Sequence, residues 1–185
     1  VVDTDAPDVR ALCRDVHTIP WPKFNPTSST AIAGLFSARP RSVLDSYSPQ
    51  MAARLQQLIA ANKYDVIIAS QVGSAGYGHL FQDIPALFEE VEMGIFHEQL
   101  AQATSLKSRL RYRLTLAKQT SYLRDLLHHF DSCTVVSEPE RELVKTAVPT
   151  FPTVEVIPNC MNLADYREVQ VEKRPNSLIF TGSFT

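Results

Sequence analysis

The residues best suited to chemistry cluster in the middle of the chain. Glu89, Glu90 and Glu92 follow directly on the apolar run Pro85 to Phe88. A carboxylate at the end of a strand can hold a hydroxyl or take its proton. A solvated acidic turn is the plainer reading and suits Glu89 and Glu90 best, while for Glu92 both readings stand. His97 comes after Gly94-Ile95-Phe96, at the start of a helical stretch. It can bond a hydroxyl or a phosphate, although a lone histidine is more often a packing or surface residue. His17, His79, His128 and His129 have no metal-ligand spacing with each other or with a cysteine, so no metal is expected. Near the end of the chain, Gly182 and Ser183 close an apolar run. Glycine there allows a phosphate to approach the backbone closely, although a simple turn would use the same residue.

A second chemical feature is electrostatic. From Gln99 to Arg124 the chain carries Lys107, Arg109, Arg111, Arg113, Lys118 and Arg124 and no acid, while Leu106, Leu110, Leu114 and Ala117 recur at helical spacing. Such a helix can lie on anionic lipid, gaining ~1 kcal/mol per basic residue near the surface, and Lys107, Arg109, Arg111, Arg113 and Lys118 are the candidate membrane-surface residues. Alternatively its apolar stripe enters the core and leaves a solvated basic face. The net charge of -2 and the lack of a recognised binding motif argue against nucleic acid.

The elements that must position these groups alternate between helix and strand. Asp15 to Ile19 is extended and closed by Pro20-Trp21-Pro22, and residues 23–30 form a loop. Ser48-Pro49 opens a helix that runs to Asn62, with Met51, Leu55, Leu58 and Ile59 on one side. Tyr64 to Ser70 is a strand whose continuous apolar centre predicts burial on both faces. Gln71 to Gly78, with Gly73, Gly76 and Gly78, predicts a flexible loop. Pro85 to Phe88 is a further strand. Met93 to Phe130 contains no proline and predicts one long helix, or two broken near Thr104-Ser105, with His128 and His129 at the end where positive charge suits the helix dipole. Asp131 to Val136 is a buried strand, and Ser137-Glu138-Pro139-Glu140 a reciprocal capping box for a helix reaching Ala147. Val154 to Ile157 and Ser177 to Thr181 are the last strands. This alternation predicts an α/β fold with a doubly wound, mostly parallel, Rossmann-like sheet. Ligands of such sheets collect at the carboxyl ends of the strands.

At 185 residues, 44% hydrophobic and 21% charged, the chain can bury one respectable core. Cys13, Cys133 and Cys160 are scattered and odd in number, as expected of reduced thiols in the cytoplasm. No apolar run approaches the ~20 residues of a spanning helix. The sequence begins without Met and stops after Gly182-Ser183-Phe184-Thr185, a strand and its turn, so truncation at both ends is expected.

Four blocks in order carry a family resemblance: Tyr64-Asp65-Val66-Ile67-Ile68; Phe130-Asp131 with Thr134-Val135-Val136-Ser137-Glu138; Val154-Glu155-Val156-Ile157-Pro158-Asn159; and Leu178-Ile179-Phe180-Thr181-Gly182-Ser183-Phe184. Over residues 60–185 the chain resembles the family 4 glycosyltransferases of GT-B fold. The resemblance implies a partial acceptor-side Rossmann-like lobe over residues 1–166, an interlobe linker over 167–176 and the first strand of a donor-binding lobe over 177–185. It implies transfer of a sugar from a nucleotide-sugar donor to an acceptor hydroxyl on a sugar or lipid-linked acceptor, with retention and with no cofactor. Glu92 and His97 would face the acceptor, Gly182 and Ser183 the donor, and Pro158 and Asn159 would stiffen the interlobe hinge. The chain departs from the family at Asn159-Cys160-Met161-Asn162, where Asn-Gly-Val-Asp is usual, so the turn lacks its glycine and carboxylate. The donor-gripping glycine loop and paired glutamates fall outside the sequence, so these residues alone are expected to be inactive. A non-catalytic Rossmann-type binding or regulatory domain, and a GT-B nucleotide-sugar epimerase, are the competing readings.

Overall fold

A computed structural model describes residues 11–160 and 175–178. Four strands, β1 (Ile67–Ser70), β2 (Ala86–Glu89), β3 (Ser132–Val135) and β4 (Val154–Val156), pair side by side in the order β1-β2-β3-β4. Every pairing is parallel. Helices flank this sheet, which gives the predicted α/β, Rossmann-like architecture. Among the described residues no helix is long and apolar enough to cross a membrane.

The helices start where the sequence supplies caps. The first, α1 (Ser29–Ala33), is capped by the Ser28 hydroxyl, which accepts from the Ala31 amide at 3.0 Å. A short α2 (Arg41–Asp45) follows, and α3 (Pro49–Ala61) begins with Pro49 in its first turn behind the Ser48 cap, as expected. The Tyr77 hydroxyl accepts from the Ser48 amide at 2.9 Å and so anchors that cap to the sheet layer. Asp15 to Ile19 forms no strand.

The glycine-rich stretch after β1 is not a loop. Gln71–Ala75 is a one-turn helix, α4, continued by a 3-10 turn at Gly78–Leu80. Its glycines answer to packing rather than to flexibility. A Cβ on Gly73 would run into the Trp21 ring, and one on Gly78 into Phe130.

The long helical segment divides at the expected place. The helix α5 (Gly94–Ala101) ends before Gln102, and α6 (Leu106–Leu127) begins behind Ser105, which exchanges capping bonds with Ser108. Tyr122, Leu123, Leu126 and Leu127 at its far end are buried with Phe88, Cys133, Val135 and Val144 in the core. Phe130 meets Phe81 edge to face, with ring centroids 5.8 Å apart, and tilts against Phe88 at 5.5 Å. Asp131 joins the starts of β2 and β3. Its carboxylate accepts from the Ala86 amide at 2.9 Å, and its own amide donates to the Ala86 carbonyl.

The last helix, α7 (Glu138–Ala147), departs from its predicted capping box. Ser137 accepts from the Glu140 amide, but the Glu140 carboxylate does not return to Ser137. It crosses to the start of α5 and accepts from the Met93 and Gly94 amides, each at 2.8 Å. Free amides at a helix start attract a buried carboxylate more strongly than the partly exposed Ser137 does. The predicted two-sided burial of the first strand also fails, because Val66 and Ile68 are 53% and 59% exposed. Among the described residues β1 is the edge strand, and nothing covers that face. The expected interlobe linker over 167–176 and strand over 177–185 fall outside the described residues apart from Pro175 to Leu178, of which Pro175 and Asn176 form a turn.

Candidate functional site

The parallel strands end together, and a cleft of about 520 Å³ opens there. Val72, Ile95 and partly buried Phe96 supply its accessible apolar surface, with the core residues Phe88, Met93 and Leu123 behind them; Gln71, Glu90, Glu92, Gln119 and Asn159 supply polar groups. A second hollow of about 460 Å³, lined by Trp21, Tyr47 and Ser74 among others, shares Ser42, Val43, Gln71 and Val72 with the first. The two form a single groove along the strand ends.

Two backbone positions in this groove are unusual. Gln71 and Glu90 both adopt the left-handed conformation, with φ of 63° and 59°. Each follows the last residue of its strand, and those last residues, Ser70 and Glu89, are register partners. The two strained residues therefore stand side by side, and the Gln71 carboxamide donates to the Glu90 carboxylate at 3.3 Å. Left-handed geometry costs a non-glycine residue about 1 kcal/mol or more and tends to collect where a side chain must be aimed.

The strain is held by β3. Buried Thr134 accepts from the Glu90 amide through its hydroxyl at 3.2 Å and from the Val91 amide through its carbonyl at 2.9 Å. This gives buried Thr134 its partners and fixes the chain as it leaves β2. The Glu140 bonds to Met93 and Gly94 then hold the far end of the same loop. Tyr122 lies in the cleft wall, and burial pushes its phenol up to about 12, so it remains a neutral hydroxyl.

Two carboxylates, Glu90 and Glu92, with the carboxamides of Gln71, Gln119 and Asn159 above an apolar surface, suit a neutral, hydroxyl-rich molecule. The acceptor oxygens would accept hydrogen bonds from hydroxyls and the amide N–H groups would donate to ring or hydroxyl oxygens. Among the described residues no group of His, Cys, Asp and Glu could hold a metal.

The sequence-predicted residues separate here. Glu92 lines the cleft and is exposed. His97 is exposed on α5 and does not line it. Asn159 reaches the cleft wall, whereas Pro158 is exposed outside it. Gly182 and Ser183 lie outside the described residues. Lys107, Arg109, Arg111 and Arg113 are exposed on α6, but the Lys118 ammonium donates to the carbonyls of Gly34 and Leu35 at 3.3 and 2.9 Å. Gln71 is not singled out by the sequence, and Glu90, which the sequence reads as part of a solvated acidic turn, stands instead in the groove. Their one linear signal is a polar side chain directly after an apolar run.

The chain matches no protein-family model, no curated protein and no solved structure.

Proposed function

We propose that this chain is the acceptor-side lobe of a cytoplasmic glycosyltransferase, which moves a sugar from a nucleotide-sugar donor to a hydroxyl of a sugar or lipid-linked acceptor. The observation that carries the reading is the pair Gln71 and Glu90, strained side by side at the ends of adjacent parallel strands and aimed over an apolar-floored cleft. The four-block resemblance to family 4 glycosyltransferases supports the same reading, and with it retention of configuration.

In this reading the Glu90 carboxylate accepts a hydrogen bond from one acceptor hydroxyl and Gln71 brackets its neighbour. Glu92, exposed at the rim, holds a more distant hydroxyl. The C–H face of the sugar lies on Val72, Ile95 and Phe96. The lobe contributes by orienting the attacking oxygen, which converts a two-body encounter into a positioned one. Stabilising the departing phosphate belongs to the donor side, where Gly182 and Ser183 are the proposed contacts.

The test uses the full-length protein with UDP-glucose, UDP-galactose, UDP-N-acetylglucosamine and GDP-mannose, with product masses as the readout. Transfer from at least one donor is expected, and Glu90→Gln should lower kcat/KM roughly tenfold to a hundredfold, the worth of a hydrogen bond to a charged group. Failure to bind any of the four donors, or a Glu90→Gln variant as active as the parent, would remove the reading.

A further inference from the structure

The first half of α6 turns its leucines away from the protein. At about 100° per residue, Leu106, Leu110 and Leu114 fall on one stripe with Ala117, while Ser108, Tyr112, Thr115 and Gln119 fall on the opposite side. Those four are partly buried, whereas the three leucines are 86%, 62% and 58% exposed. The stripe therefore does not enter the core, which excludes the reading that buries it there. The core is served by Tyr122, Leu123, Leu126 and Leu127, two turns further on.

The same angular count places Arg109 and Arg113 along one side of the leucine stripe and Lys107 and Arg111 along the other. All four are exposed. Arg111 stacks over the Tyr112 ring at 4.6 Å, which keeps its charge at the flank. No acid occurs between Gln99 and Arg124 to neutralise them. Lys118 acts differently, because its bonds to the Gly34 and Leu35 carbonyls hold a turn against α6, and that turn displays Leu35 and Phe36 at 53% and 91% exposure.

We propose that this face of α6, with Leu35 and Phe36 beside it, docks on a membrane surface that carries anionic lipid. The inference is independent of what the cleft binds. Its occupant follows from charge and shape. A file of single leucines bordered on both sides by basic residues is the pattern of a helix lying in a lipid interface, where leucines enter the acyl boundary and arginines meet phosphates. A protein partner would have to seat four like charges around a strip one residue wide, whereas the core of a protein interface is depleted of charged residues.

Flotation with vesicles of phosphatidylglycerol and phosphatidylcholine in equal parts, compared with phosphatidylcholine alone, tests this. The chain should float with the anionic vesicles and stay behind with the neutral ones. The variant Lys107→Gln/Arg109→Gln/Arg111→Gln/Arg113→Gln should lose partitioning by several hundredfold, at about fivefold per basic residue. Leu106→Ser/Leu110→Ser/Leu114→Ser should lose about tenfold or more. Both variants should keep the parent circular dichroism and melting temperature, since every altered side chain is exposed. Binding to neither vesicle, equal binding to both, or undiminished binding of the quadruple variant would overturn the proposal. So would a dimer that the leucine variant abolishes, accompanied by no vesicle binding, because a second copy would then cover the stripe.

Discussion

Replacing Glu140 by Ala should destabilise the protein far more than a typical change on a helix surface. The Glu140 carboxylate is 9% exposed and accepts from two amides, Met93 and Gly94, at 2.8 Å each. Alanine leaves both donors without their partner, and the Met93 amide lies in a buried bond. An unmet buried donor costs ~1–3 kcal/mol and the part-buried Gly94 amide somewhat less, so the pair amounts to roughly 2–5 kcal/mol. For a chain of this size each kcal/mol moves the melting temperature by about 2–4 °C, so the loss should fall between about 4 and 20 °C. Glu140→Gln retains one accepting oxygen and should lose about half as much. Gly94→Ala approaches the same bond from the other side, because its new Cβ would collide with Glu140 Oε1. Calorimetric melts of the two single variants and the double variant check this, and the combined loss should fall short of the sum, as expected of residues that share one interaction. If Glu140→Ala melted within about 1 °C of the parent, the carboxylate would not be holding α5, and the account of how the loop after β2 is fixed would fail.

Other outcomes follow from the same structure. Glu90→Gly relieves the left-handed strain at φ 59° and should leave stability unchanged or raise it by up to about 1 kcal/mol while weakening acceptor binding; a loss above about 1 kcal/mol in urea unfolding would deny that strain. Burial raises the Cys133 thiol to about 12, so a thiol reagent should label exposed Cys13 and Cys160 quickly and Cys133 only on unfolding. Burial, then the charges of His79, His128 and Arg39, lower His129 below the ordinary 6.5. The folded state thus binds fewer protons than the unfolded chain, so the stability present above that value should decline as pH falls from 6.5 through the lowered folded value, and His129→Gln should flatten the slope in melts taken across that range. Gly73→Ala should displace the sole tryptophan, Trp21, and shift its fluorescence emission; an unchanged spectrum would contradict their packing.

Much of the framework was legible because it rests on local rules. Ser48-Pro49 and Ser105 announce their helices, and the short apolar runs ending at Ser70 and Val135 announce β1 and β3. What escaped depends on partners remote in sequence. Glu140 looks like half of a capping box because Ser137 lies three residues before it, yet Met93 and Gly94, brought near by the sheet, provide the better donors. Three glycines after β1 read as flexibility until Trp21 and Phe130 are seen to need the space. Periodicity placed Leu106, Leu110 and Leu114 on one face without telling which way the face points. In the site, Glu90 and Glu92 both stand past a strand end in the sequence, but what sets Glu90 apart from a solvated turn, and Gln71 from a loop residue, is backbone angles that no side-chain pattern encodes.

The central claim is that the groove at the strand ends receives a hydroxyl-rich acceptor through Gln71 and Glu90. Titration of the isotope-labelled protein with methyl glucoside, methyl mannoside and methyl galactoside, followed by amide and side-chain NMR shifts, tests it most directly. At least one glycoside should move the signals of Gln71, Glu90, Glu92 and Asn159 in a saturable way, and Glu90→Gln should abolish that response. Shifts confined to surfaces away from the groove, or none with any of the three, would contradict the claim.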